Sequence, residues 1–213
     1  MPRRRAARKS KTWYQVYAVD VFPGKWIGET PASDPELVIG RNVEVVVRDI
    51  TGDFMHEKYK LWFRIFRVDG SKAYARFIKE MLNRDYLRSI VQRRTSRVDI
   101  MVEGTTKDGH HVRVFYIIIT SVRVRHSQER AIRARVVEYL SEQIPQLTLE
   151  EIVKSSIFNE PVNFSESIRQ LSTKIAPIKN IEPRKIVVLR FGEATPSLEK
   201  EEPEAEEPPI QEA

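Results

Sequence analysis

No cysteine occurs anywhere in the 213 residues. That absence excludes disulfides, thiolate nucleophiles and zinc ribbons together, and it is compatible with a reducing compartment. Histidine is scarce, at four residues. His110 and His111 are adjacent beside a hairpin turn. Neighbouring strand residues point to opposite faces, so the pair does not readily ligate one metal. His56 and His126 stand alone. There is no GxxxxGK[ST] and no GxGxxG, hence no phosphate-cradling nucleotide loop. No apolar run approaches the roughly eighteen residues of a membrane helix, and the N-terminus lacks the apolar stretch of a secretory signal. Neither a cofactor, a metal nor a membrane is expected.

What the chain does have is charge, unevenly placed. The formal net charge is +6, and arginine outnumbers lysine 23 to 13. Arginine's planar fork suits phosphate and base edges, which favours nucleic acid over a merely soluble basic surface. The first eleven residues hold Arg3, Arg4, Arg5, Arg8, Lys9 and Lys11 with no anion. After the initiator Met they contain no apolar residue larger than Ala. Residues 1–12 therefore read as an arm that stays extended until it meets a polyanion. The last twenty-one residues carry eight glutamates and one lysine, which reads 193–213 as a solvated acidic tail. The whole chain is 41% hydrophobic with nine Phe and three Trp, enough for a real core, expected as one domain over 13–192.

Three further basic clusters recur: Arg84, Arg88, Arg93, Arg94 and Arg97; Arg113, Arg123, Arg125, Arg130, Arg133 and Arg135; and Lys174, Lys179, Arg184, Lys185 and Arg190. Any one of them reads equally as a solvated face. Together with the arm they point to RNA, with the arm cations, the first cluster, Arg123, Arg125, Arg130, Arg133 and Lys185 as the candidate contacts. Trp13, Tyr14 and Trp26 lie near the arm and are placed to stack on bases, although Tyr14 and Trp26 read more readily as core.

Periodicity predicts strands over 13–22, 41–50, 57–68 and 71–78, with a loop over 28–40 and a hairpin turn at Asp69-Gly70. A short helix capped by Asn83 or Asp85 follows. Arg97–Thr106 and Val112–Val124 form a second hairpin about Asp108-Gly109, and the run Val114–Ile119 predicts burial on both faces. Ser127 begins a helix to about Ile144, Thr148-Leu-Glu-Glu151 is a capping box, and Asn163 precedes another helix. A last strand covers Ile186–Phe191. The fold class expected is α+β: a largely antiparallel, barrel-like sheet with C-terminal helices packed against it and a final strand.

Catalysis finds little support. Asp99, Glu103 and Asp108 are the only acids that line up around one hairpin, and carboxylates on exposed strands are ordinarily solubility residues. Two alternatives to a structural RNA-binding protein stay open here: a free single-strand RNA-binding or translation-initiation factor, and an RNA-processing enzyme using those acids.

Five segments carry a resemblance. Lys11-Thr-Trp-Tyr-Gln-Val-Tyr-Ala, Ile39-Gly-Arg-Asn-Val-Glu-Val-Val-Val-Arg-Asp-Ile and Asn83-Arg-Asp-Tyr-Leu-Arg-Ser-Ile-Val-Gln-Arg-Arg-Thr-Ser-Arg-Val-Asp come in that order. Thr106-Lys-Asp-Gly-His-His-Val-Arg-Val and Ser127-Gln-Glu-Arg-Ala-Ile-Arg follow. Collinear from about Lys11 to Phe191, they resemble the archaeal and eukaryotic small-subunit ribosomal protein family S-one-e, S-three-A-e in older naming. The missing cysteine and short loops look like an archaeal member. The resemblance implies a non-enzymatic structural protein of a cytoplasmic ribosome, on the platform near the messenger exit. The partners it implies are small-subunit ribosomal RNA, neighbouring ribosomal proteins and messenger RNA near the exit channel. The acidic tail lies beyond the matched segments.

Overall fold

A computed structural model describes residues 10–192. The arm residues Arg3, Arg4, Arg5, Arg8 and Lys9 and the acidic tail lie outside them. The N-terminal half holds β1 (Thr12–Ala18), β2 (Trp26–Ala32), β3 (Asn42–Val46), β4 (Tyr59–Asp69) and β5 (Lys72–Leu82). β4 and β5 form the expected hairpin, with Gly70 supplying the positive φ of 57° that its turn requires. Two local expectations are corrected. The loop expected over 28–40 contains β2, which pairs with β1 and lies at the end of the sheet. Pro31 and Gly28 hid it, because both disfavour a central strand while an edge position tolerates them. The strand expected to reach Ile50 stops at Val46, where α1 (Val47–Thr51) begins and runs to Gly52 in the left-handed region.

The second half contains α2 (Arg84–Ile90), β6 (Arg97–Thr105), β7 (His111–Thr120), α3 (His126–Gln143), α4 (Leu149–Phe158), α5 (Phe164–Thr173) and β8 (Ile178–Arg190). Asn83 caps α2, its side chain accepting from the Asp85 N–H at 3.2 Å. The Thr148–Glu151 capping box opens α4 as read from the sequence. The cap of α3 differs: the helix starts at His126 rather than after Ser127, and the Gln128 side chain accepts from the Arg125 N–H at 3.1 Å. The run in β7 is buried on both faces only from Tyr116 onward, since Phe115 stays half-exposed.

All eight strands join one mostly antiparallel sheet, ordered β2-β1-β5-β8-β7-β6, with β4 on the other edge of β5 and β3 beyond it. β1 and β5 are a parallel pair. β2 and β3 approach where Arg41 Nη1 donates to Thr30 Oγ1 at 2.7 Å and to the Pro31 carbonyl at 2.9 Å, but no ladder joins them. The sheet is therefore open, and the expected barrel closure is corrected accordingly. β8 is twice as long as expected. Pro183 concealed its first half, yet this residue falls at a register shift opposite Phe115 and Tyr116, where the ladder is already interrupted. Lying between β5 and β7, β8 ties the two halves together.

The helices α3, α4 and α5 pack on one face of the sheet. Phe164 of α5 meets Tyr116 of β7 edge-on at 6.3 Å, and Ser156 of α4 donates to Glu80 of β5 at 2.8 Å. Ile132, Val136 and Leu140 of α3 are buried on the same side. Below the other end of the sheet, Glu182 gathers Lys58 Nζ at 3.0 Å, the Tyr59 hydroxyl at 3.2 Å and the Tyr86 hydroxyl at 2.9 Å.

Candidate nucleic-acid interface

Arg97 pairs with Ile119 where β6 begins and β7 ends, so the segment before β6 and the segment after β7 run side by side. Two buried hydroxyl residues clasp them. Ser96 N–H donates to Thr120 Oγ1 at 2.9 Å, and Thr120 N–H donates to the Ser96 carbonyl at 3.0 Å. Thr120 Oγ1 in turn donates to the Val122 carbonyl at 2.6 Å, and Val124 N–H donates to Ser96 Oγ at 3.2 Å. Buried or partly buried, these bonds hold both segments in fixed geometry.

Above the clasp lies a cleft of about 530 Å³ lined by Arg94, Thr95, Arg123, Val124, Arg125, His126 and Glu129. Arg94 adopts a φ of 67°, unusual for a residue with a side chain, so its backbone is held out of the ordinary strand path. Among the described residues, no carboxylate lies within ion-pair distance of Arg94, Arg123 or Arg125. The acid at the rim, Glu129, is engaged by His126 Nδ1 at 3.1 Å. Three guanidinium groups of like sign line one concavity, an arrangement chemically suited to an anion such as phosphate.

Other expected contacts are distributed differently. Arg84, Arg88 and Arg93 are exposed on α2 and the segment after it, and Arg88 reaches Asp85 at 3.6 Å with both side chains more than 80% exposed. Arg130 is exposed on α3. Arg97 is committed to Asp99 at 2.9 Å, and Arg133 donates to the Asp99 carbonyl at 3.1 Å. Lys185 lies on the sheet instead, its ammonium 5.7 Å from the Phe115 ring centroid. Lys11 is exposed ahead of β1. Trp13 is 62% exposed and Trp26 38%, whereas Tyr14 is buried in the core. Lys179, which the sequence placed in the third basic cluster but not among the candidate contacts, donates to Gln92, a pairing that 87 positions of separation hid.

The three carboxylates of the enzyme alternative each have structural work. Asp99 pairs with Arg97 and, at 3.6 Å, with Arg184. Glu103 pairs with Arg113 at 2.6 Å, and Asp108 accepts from the Leu149 N–H at 3.1 Å at the start of α4. Asp99 and Glu103 are four residues apart on one strand, about 14 Å at strand rise, too far to act on one bond. Among the described residues, no group of three or more His, Asp or Glu is arranged to hold a metal.

The Ribosomal S3Ae family matches residues 2–191, which takes in the whole sheet and every helix described above. The chain is 38% identical over 192 residues to the small ribosomal subunit protein eS1 of Methanopyrus kandleri, covering 90% of this chain and 91% of that one. It is 41% identical over 181 residues to the protein of that name from Staphylothermus marinus, covering 85% and 84%. Against the Methanocaldococcus jannaschii protein it is 36% identical over 184 residues, covering 86% and 82%. With nearly its full length matched and relatives aligned almost end to end, the chain belongs to the Ribosomal S3Ae family.

Proposed function

We propose that this chain is a structural constituent of the small ribosomal subunit that neutralises ribosomal RNA phosphate through the basic arm and the arginine cleft. The observation that carries the reading is the convergence of Arg94, Arg123 and Arg125 on one cleft, free of carboxylate partners among the described residues. The relatives are small ribosomal subunit proteins of archaea, which supports a ribosomal setting in which small-subunit ribosomal RNA and neighbouring ribosomal proteins are the partners. A position on the platform near the messenger exit, with messenger RNA as a neighbour, follows from the resemblance of the quoted segments. The role is architectural and assigns no catalysis to Asp99, Glu103 or Asp108.

Replacing Arg123 and Arg125 together by Gln is expected to weaken binding to a small-subunit ribosomal RNA fragment and to flatten the plot of log K against log salt by about 2 units. Unchanged affinity and slope in a variant with wild-type circular dichroism would remove the cleft from the interface. Sedimentation separates a constituent from a free factor: a constituent stays with small subunits through a high-salt wash, and a factor is released.

A further inference from the structure

The face of the sheet opposite α3, α4 and α5 has no helix over its central rows, and its composition is unlike either a core or an ordinary solvated face. Strand register gives its rows directly. Met101, Phe115, Lys185, Met81 and Lys60 are successive partners across β6, β7, β8, β5 and β4. The next row is Glu103, Arg113, Val187, Lys79 and Trp62. Every one of these is exposed or half-exposed, while the flanking residues Ile100, Val114, Ile186 and Leu61 are buried toward the helices.

Two of the cations in these rows are already paired. Arg113 holds Glu103 at 2.6 Å and Lys60 holds Glu44 at 2.8 Å. The central cations, Lys79 and Lys185, have no carboxylate within ion-pair distance among the described residues and lie against rings instead. Lys79 Nζ is 3.7 Å from the Trp62 centroid, and Lys185 Nζ is 5.7 Å from that of Phe115. Partial burial, and then the charge of Lys185, hold Lys79 below the ordinary lysine range. A bound phosphate would relieve that repulsion.

We propose that this open face binds single-stranded RNA, Lys79 and Lys185 leaving the Trp62 and Phe115 rings for the intervening phosphates while bases stack on those rings in their place. Exposed aromatic rings set beside cations on a sheet surface are the composition of a single-strand platform. A protein partner fits less well, because protein interfaces deplete lysine at their centre, where this face has two. Duplex RNA would meet the lysines and leave Phe115 unused. Three strand spacings separate Phe115 from Trp62, about 15 Å, a span that an extended strand of a few nucleotides crosses. The site is distinct from the arginine cleft and does not depend on it.

The test measures binding of the full chain to an oligouridylate of about ten nucleotides and to an abasic ribose-phosphate strand of equal length. The wild type is expected to prefer the base-bearing strand by about tenfold. Phe115→Leu keeps volume and charge but removes the ring, and is expected to erase most of that preference; Phe115→Tyr is expected to retain it. Replacing Lys79 and Lys185 by Gln should weaken both strands alike and flatten the salt dependence by about 1–2 units. The Arg123/Arg125 double variant should leave the base preference intact, so the two sites succeed or fail separately. Equal wild-type affinity for the two strands would overturn the proposal, as would an oligoglutamate competing as effectively as the RNA.

Discussion

Glu80 is 1% exposed, with one carboxyl oxygen accepting from Ser156 Oγ at 2.8 Å and the other unpartnered. Burial pushes its carboxyl up to about 8, against the weaker downward pull of the Ser156 hydrogen bond. Below the unfolded value of 4.5 both states hold the proton, and the group adds no pH dependence to stability. As pH rises from there to about 8, the unfolded chain releases the proton first, so stability falls across that window and levels above it. Wild-type stability minus that of Glu80→Gln is therefore expected to drop by a few kcal/mol between pH 5 and pH 8 in urea titrations. A constant difference would show that Glu80 ionises normally. Glu182 contrasts with it, since Lys58, Tyr59 and Tyr86 satisfy it, and its proximity, after burial, raises both tyrosine hydroxyls. Simple alternation along β5 would put Glu80 outward. The ladder slips between Trp62 and Phe63, so Phe77 and Glu80 both face the core, a change of parity that no local pattern announces.

Most elements were legible because their signals are local: the Asp69-Gly70 and Asp108-Gly109 turns, the Thr148–Glu151 box, and the spacing of Ile132, Val136 and Leu140. β2 and the first half of β8 were not, because neighbouring strands rather than their own residues make them strands. The seat of α3 on β6 is likewise decided at a distance. Gly104 faces Ile144 just past the end of α3, and a Cβ at 104 would come within 2.8 Å of Ile144 Cγ2, itself buried with nowhere to move. Gly104→Ala is expected to cost about 1–3 kcal/mol in chemical denaturation. Adding Ile144→Val should recover part of that loss. A neutral Gly104→Ala would mean the helix end is free to shift.

At the scale of the molecule, β8 inserts between β5 and β7 and makes one sheet of two hairpin-rich halves, so the surfaces on either side keep a fixed relation. Residues 1–9 of the arm lie outside the described residues, but the arm's charge is a property of the chain itself. If about five of its cations meet phosphate, deleting residues 1–11 should flatten the slope of log K against log salt by roughly 3–4 units. An unchanged slope would take the arm out of the interface. Composition and local pattern by themselves pointed to a polyanionic partner and determined the run of strands before helices and most turns and caps. Those properties depend on net charge and on residues a few positions apart. Which arginines act together was decided only by tertiary structure. Arg94 and Arg123 share a cleft because Ser96 and Thr120 join segments 24 residues apart. Arg97 and Arg133, from the same two clusters, are instead taken up by Asp99. Spacing along the chain records how many cations there are; only the strand register sets which of them share one cleft.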